Sequence, residues 1–242
     1  MEYDGTRYHG FQVQKNVPTV QGEIERALVR LMGERVRIAS ASRTDQGVHA
    51  RGQVVAFRTS SPHAPEVFIR ALNHYLPEDI AVVDAMAVRD AFDVRRHAVS
   101  REYLYNVLNR ATASPLARRN ACFVPKTLDL EAMNEACQAL LGTHDFASFA
   151  SALEAGKNTV RTVHRAEVTR EDDLVAFCMV ASSFLPHQVR NTMGALVKVG
   201  LGKSSTGEFR HTMAECRPGA AGPAFPPHGL CLTKVNYPEG IG

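Results

Sequence analysis

The chain has 242 residues, 45% of them hydrophobic and 22% charged, with a net charge of +3. That balance belongs to a folded globular protein, long enough for one large domain or two small ones, and excludes a disordered chain. No apolar run reaches the roughly 20 residues a bilayer span needs and no signal-like leader opens the chain, so a cytoplasmic location without membrane contact is expected.

The first segment, Glu2-Tyr3-Asp4-Gly5, places a turn dipeptide almost at the N-terminus. Thr19 is a predicted N-cap for a helix whose apolar positions Val20, Ile24, Ala27, Leu28 and Leu31 share one face. Residues 36–41 read as a strand running into the polar loop Ser42-Arg43-Thr44-Asp45-Gln46-Gly47-Val48-His49, and residues 54–57 as the returning strand. A second helix fits Pro65–Tyr75, ending near Pro77, and residues 80–88 are β-rich.

The second half opens with a strand over residues 102–108, carrying Tyr103 and Tyr105 in alternation. A looser stretch passes through Pro115 and Pro125. Leu130, Met133, Cys137, Leu140 and Leu141 mark a helix that Gly142 ends. Residues 160–169 and 174–181 read as an antiparallel pair across Glu171-Asp172-Asp173. A helix over residues 187–199 has Val189, Met193, Leu196 and Val197 on one face, with Gly200 beyond it. A Gly/Pro-rich loop over 218–229 leads into a last strand at 230–237. Strands interleaved with two helices in each half point to an α+β fold of two domains, 1–99 and 100–242, with antiparallel sheets. No flexible linker marks the boundary, so the halves are expected to share one extended sheet flanked by helices.

Five scattered cysteines (Cys122, Cys137, Cys178, Cys216, Cys231) form no Cys-x-x-Cys pair, and the ten histidines show no ligand spacing. Neither a disulfide framework nor a metal site is supported. Residues 89–119 hold seven arginines (Arg89, Arg95, Arg96, Arg101, Arg110, Arg118, Arg119), no lysine and three acids. Guanidinium forks suit phosphate oxygens and stack on bases, which makes this a candidate RNA-facing stretch. A general preference for arginine over lysine accounts for it equally well. The richest short segment is the loop around Asp45. A carboxylate flanked by a cation, a hydroxyl and a glycine is how reactive acids are often displayed, although an Asx turn capped by its own side chains has the same composition.

Arg43-Thr44-Asp45-x-Gly47-Val48-His49-Ala50, followed by Gly52-Gln53-Val54-Val55-x-Phe57, resembles the active-site loop of the tRNA pseudouridine synthase A family. Six further segments resemble that family in its own order: Glu2-Tyr3-Asp4-Gly5-Thr6-x-Tyr8-x-Gly10-Phe11-Gln12 with Thr19-Val20-Gln21; Leu72-Asn73 with Leu76-Pro77-Glu78-Asp79-Ile80; Phe92 and Arg95 with Ser100-Arg101-Glu102-Tyr103-x-Tyr105; Gly142-x-His144-Asp145-Phe146-x-Ser148-Phe149; Phe184-x-x-His187-x-Val189-Arg190-Asn191-x-x-Gly194; and His228-Gly229-Leu230.

The resemblance implies isomerisation of uridine to pseudouridine at positions 38, 39 and 40 of the tRNA anticodon stem-loop, by a homodimer. It places the essential aspartate on Asp45, the base-stacking tyrosine on Tyr103, the arginine that pairs with the aspartate on Arg190, and a uracil-pocket leucine on Leu230. Arg43 matches an arginine that helps hold the flipped nucleotide. Arg101 and His187, within the matched motifs, are further substrate-binding candidates. Such a reaction breaks the N1–C1′ bond, turns the uracil and rejoins it through C5 with loss of the C5 proton. It involves no redox change and no outside group, so no cofactor is expected. The residue types suit it: a carboxylate able to act as nucleophile or base, a phenol near the C5 proton, and a pocket for a base taken out of its stack. The chain departs from the family pattern at Phe11, Gln46, Asp93, Arg96, His97 and Pro186, and the family carries about one strand's worth of residues ahead of Glu2.

Overall fold

Thr19 caps the first helix through its hydroxyl, which accepts from the Gly22 N–H at 3.2 Å, and Gly33 ends it in the left-handed conformation. The computed structural model describes residues 1–151, 153 and 156–240. In chain order the elements are β1 (Glu2–Tyr3), α1 (Val20–Met32), β2 (Ala39–Ser40), β3 (His49–Ala50), β4 (Val55–Ala56), α2 (Pro65–Tyr75), β5 (Ile80–Ala81) and β6 (Ser100–Leu108). They continue with β7 (Cys122–Phe123), α3 (Leu130–Gln138), β8 (Gly142–Asp145), β9 (Val160–Glu171), β10 (Leu174–Ala181), α4 (Gln188–Gly200), α5 (Thr206–Ala214) and β11 (Leu230–Asn236). The pairing is mostly antiparallel and the class is α+β, as the alternation of patterns predicts.

The chain divides into two compact units, Met1–Arg101 with Cys231–Gly242, and Glu102–Leu230. In the first, the strand order is β5-β1-β3-β11, with β1 antiparallel to both neighbours and β11 parallel to β3; β2 and β4 form a separate antiparallel pair. Residues 231–240, grouped by sequence with the second half, thus fall in the first unit. α1 buries Val20, Ile24, Ala27 and Leu28, and α2 buries Phe68 and Leu72. Fully burying a side chain such as Ile24 or Leu28 contributes about 1.5–3 kcal/mol. The second unit runs β6-β10-β9-β8, with β7 beside β6, and carries α3, α4 and α5. β9 and β10 pair in register across the Asp172 turn as expected, Asp172 taking a positive φ.

Some expectations shift, for local reasons. The β-rich stretch 80–88 keeps only two strand residues, because the Asn73 side chain takes both the N–H and the C=O of Val82 (2.7 and 2.9 Å). The strand expected over 36–41 shortens to Ala39–Ser40, since only two residues of β4 pair with it. α5 and β8 were not foreseen. β8 is mostly exposed and lacks an apolar face, whereas α5 has a sequence signature: the Ser205/Glu208 capping box.

Candidate functional site

The loop between β2 and β3 carries Arg43 and Asp45, the first exposed and the second half-buried. Two buried side chains hold its beginning. Gln53 accepts from the Ser42 N–H (3.4 Å) and donates back to the Ser42 carbonyl (2.9 Å), so one amide stands in for a paired strand. Arg101, 6% exposed, donates from Nε and Nη2 to the Ala41 carbonyl (3.4 and 3.1 Å). The middle of the loop is fastened to the N-terminal segment. Thr44 is buried, its hydroxyl hydrogen-bonded to that of Tyr3 at 2.8 Å, and its carbonyl accepts from the Phe11 N–H at 3.0 Å. Past the aspartate, the Gly47 N–H donates to the Tyr8 carbonyl (3.3 Å) and the Val48 N–H to the Asp45 carbonyl (3.2 Å). The Gly5 N–H donates to Nδ1 of buried His49 (3.1 Å).

Gly10 explains why the two segments fit together. Its φ is +94°, and a Cβ there would stand 2.9 Å from the Thr44 carbonyl oxygen and 3.4 Å from the Asp45 backbone carbon. Motifs separated by more than thirty residues are therefore one local structure: residues 3–12 form the bed on which the Asp45 loop lies.

In the second unit, β6 alternates, with Tyr103, Tyr105 and Val107 buried. Tyr103 meets Phe184 edge-on, the ring centroids 5.0 Å apart at 83°. Three residues beyond Phe184, His187 sits at the N-cap of α4 with a φ of +61°, and Arg190 lies in the first turn. Arg190 donates from Nε to the Phe225 carbonyl (2.8 Å), and the Phe225 N–H donates to the Arg190 carbonyl (3.1 Å). The Phe225 ring lies 5.5 Å from that of Tyr105, whose hydroxyl donates to the Pro226 carbonyl at 2.5 Å. Burial first, and the Cys122 thiol next, push the Tyr105 phenol far above its usual value, so it stays a neutral structural donor. The Gly/Pro-rich loop thus knits α4 to β6 and delivers Leu230, 4% exposed, at the start of β11. Within this unit, Tyr103, His187, Arg190 and Leu230 all belong to, or directly adjoin, elements joined by that loop.

Of the seven arginines between 89 and 119, only Arg101 is buried. Its guanidinium also donates to the carbonyls of Ala98 (3.1 Å) and Arg95 (2.7 Å), so it lies against backbone. The departures Asp93 and His97 are partners of each other: the Asp93 N–H donates to His97 Nδ1 (3.1 Å) and the His97 N–H to the Asp93 carbonyl (3.0 Å). Asp93 Oδ1 accepts from the N–H groups of Arg95 and Arg96, both at 2.9 Å, and those bonds hold its carboxyl below the usual range. Gln53, Phe184 and Phe225 are parts of this architecture to which sequence reasoning assigned no role, although the first two lie inside recognisable motifs. Among the described residues, no cluster of three His, Cys, Asp or Glu side chains is placed to hold a metal ion, and no helix is long and apolar enough to cross a membrane. The five cysteines are free thiols, with burial pushing Cys137 up to about 12 and Cys231 to about 11.

A family model described as tRNA pseudouridine synthase matches residues 1–95 and 136–238, and the chain belongs to that family. Among its relatives, a tRNA pseudouridine synthase A of Myxococcus xanthus is 44% identical over 241 residues, which covers 99% of this chain and 91% of that protein. The protein of the same name from Sinorhizobium fredii is 42% identical over 98% of this chain and 97% of its own length. That of Neisseria meningitidis serogroup B is 41% identical over 100% and 92%. Arg43, Asp45, His187, Arg190 and Leu230 lie inside the segments the family model matches, whereas Arg101 and Tyr103 lie in the interval between them.

Proposed function

We propose that this protein converts uridine to pseudouridine at positions 38, 39 and 40 of the tRNA anticodon stem-loop, with Asp45 as the essential carboxylate. The observation that carries this reading is the way residues 3–12, Gln53 and Arg101 hold the Asp45 loop by its backbone. That arrangement holds the backbone from which the carboxylate projects, which supports the preorganisation such catalysis requires. Asp45 acts on the ribose or the uracil ring. Tyr103 stacks against the base and its hydroxyl serves removal of the C5 proton, Arg190 balances the carboxylate charge, and Leu230 lines the uracil pocket. Arg43 holds the flipped nucleotide, His187 is a further substrate-binding residue, and exposed arginines take the phosphates. The protein works in the cytoplasm as a homodimer, which sedimentation at micromolar concentration tests; a monomer would reject that part. The reaction itself is tested with tRNA tritiated at uracil C5. Tritium release is the expected result. No release would indicate a binding protein, and free uracil a hydrolase.

A further inference from the structure

Arg101 is the one arginine of its stretch withdrawn from solvent, and Nε, Nη1 and Nη2 all donate to backbone carbonyls. Nε and Nη2 reach the Ala41 carbonyl, at the root of the Asp45 loop; Nη1 reaches the Ala98 carbonyl, and Nη2 also reaches that of Arg95. Three carbonyls on two separate segments therefore converge on one planar cation. The Ala41 N–H is meanwhile tied to the Val54 carbonyl at 2.9 Å. The residue that begins the loop is thus held through both its backbone groups, its N–H by Val54 just ahead of β4 and its carbonyl by Arg101. The anchor at Arg95 is itself stiff, since Asp93 caps the N–H groups of Arg95 and Arg96 and pairs with His97, while the Val94 carbonyl accepts from the Tyr237 hydroxyl at 2.5 Å.

We propose that Arg101 is a positioning residue: it makes no contact with RNA and instead fastens the root of the Asp45 loop to the capped turn at residues 93–98. This rests on the reading of Asp45 as the essential carboxylate. A guanidinium is suited to the task because its fork is planar and fixed, so several carbonyls set one geometry; a lysine ammonium on a flexible stem reaches only some of them.

The test is the pair Arg101→Lys and Arg101→Met, measured by single-turnover kinetics at saturating tRNA, by tRNA affinity across a salt series, and by hydrogen exchange of the peptide spanning residues 41–48. Positioning predicts a rate at saturation lowered roughly 10–100-fold in Arg101→Met, the scale on which small misplacements of a reacting group act. Arg101→Lys should recover part of the loss. Affinity should stay within about twofold with an unchanged salt slope, and exchange over residues 41–48 should rise. An affinity loss with a salt slope smaller by about one and an intact saturated rate would make Arg101 a phosphate contact and overturn the proposal. So would unchanged rate and exchange, or a rate loss that disappears when the variant is assayed well below its melting temperature. Asp45→Asn is run alongside: if it still turns over, the reading of Asp45 falls by itself, whatever the Arg101 variants do.

Discussion

Replacing Gly10 by alanine asks directly whether residues 3–12 are the bed of the Asp45 loop. Two costs are legible in the structure. At a φ of +94° an L-residue sits on the left-handed side of the backbone map, which costs about 1–2 kcal/mol. The new Cβ would also lie 2.9 Å from the Thr44 carbonyl oxygen and 3.4 Å from the Asp45 carbon and the Gln46 nitrogen. Those atoms are backbone, with no flexible end to yield, so the loop must shift by several tenths of an ångström at an overpacking cost of about 1–3 kcal/mol. The sum, about 2–5 kcal/mol, corresponds to a melting temperature lower by about 4–20 °C for a chain of this size. Gly33 is the matched control. It too has a positive φ, +74°, but a Cβ there meets nothing within 4 Å, so Gly33→Ala should incur only the backbone cost and keep full activity. Pseudouridine formation in a single turnover at low temperature separates the two: Gly10→Ala should be slowed by up to about 100-fold because the carboxylate moves, and Gly33→Ala should match wild type. Equal rates and equal melting losses in both variants would refute the claim that the N-terminal segment sets the position of Asp45.

Asp45→Asn should abolish turnover while leaving the fold and most tRNA affinity intact, because phosphate contacts supply most of that affinity; product from a clean preparation would remove Asp45 from its role. Tyr103→Phe keeps the ring that meets Phe184 and should slow only the final loss of the C5 proton, whereas Tyr103→Ala should also weaken base capture by about 1–3 kcal/mol. A Tyr103→Phe enzyme equal to wild type in tritium release would refute the role of the hydroxyl. Arg190→Lys loses the Nε bond to the Phe225 carbonyl and should recover only a fraction of the activity that Arg190→Ala loses; full recovery would show that charge alone suffices. The Asp93 carboxyl is held below its ordinary value of 3.8, first by the Arg96 N–H and then by that of Arg95. Its contribution to stability is complete above that ordinary value and is lost as the pH falls through the lowered one. Asp93→Ala should therefore melt below wild type at pH 7 and approach it as the pH falls below the ordinary carboxyl value of 3.8, and a gap undiminished in acid would place the effect elsewhere.

Most of the helices were legible, α5 excepted, because their signals are local. Thr19 and Gly33 bracket α1 as cap and stop, and the limits of α2 agree with the pattern from Pro65 to Tyr75. Sheet edges were less so. Where residues 80–88 stop being a strand depends on Asn73, whose side chain reaches across to Val82, nine residues later. The apolar run itself carries no mark of that. The exposed strand β8 has no buried face and hence no alternation to read.

For the candidate site, the sequence by itself supplied the candidates: Asp45 in a short polar loop, aromatic residues alternating along β6, and an arginine in the first turn of a helix. It also ordered the motifs, without saying why Tyr3, Gly10 and Phe11 should accompany an aspartate so far along the chain. Only the tertiary structure decided that they are one assembly, because hydrogen bonds such as Phe11 to Thr44 join residues by proximity in space rather than in sequence. The same holds for Arg101. By type and neighbourhood it is indistinguishable from the arginines on either side, and only burial against the carbonyls of Ala41, Arg95 and Ala98 separates a brace from a surface cation. Residue type specifies which interactions a side chain is able to make; the path of the backbone through space selects among them.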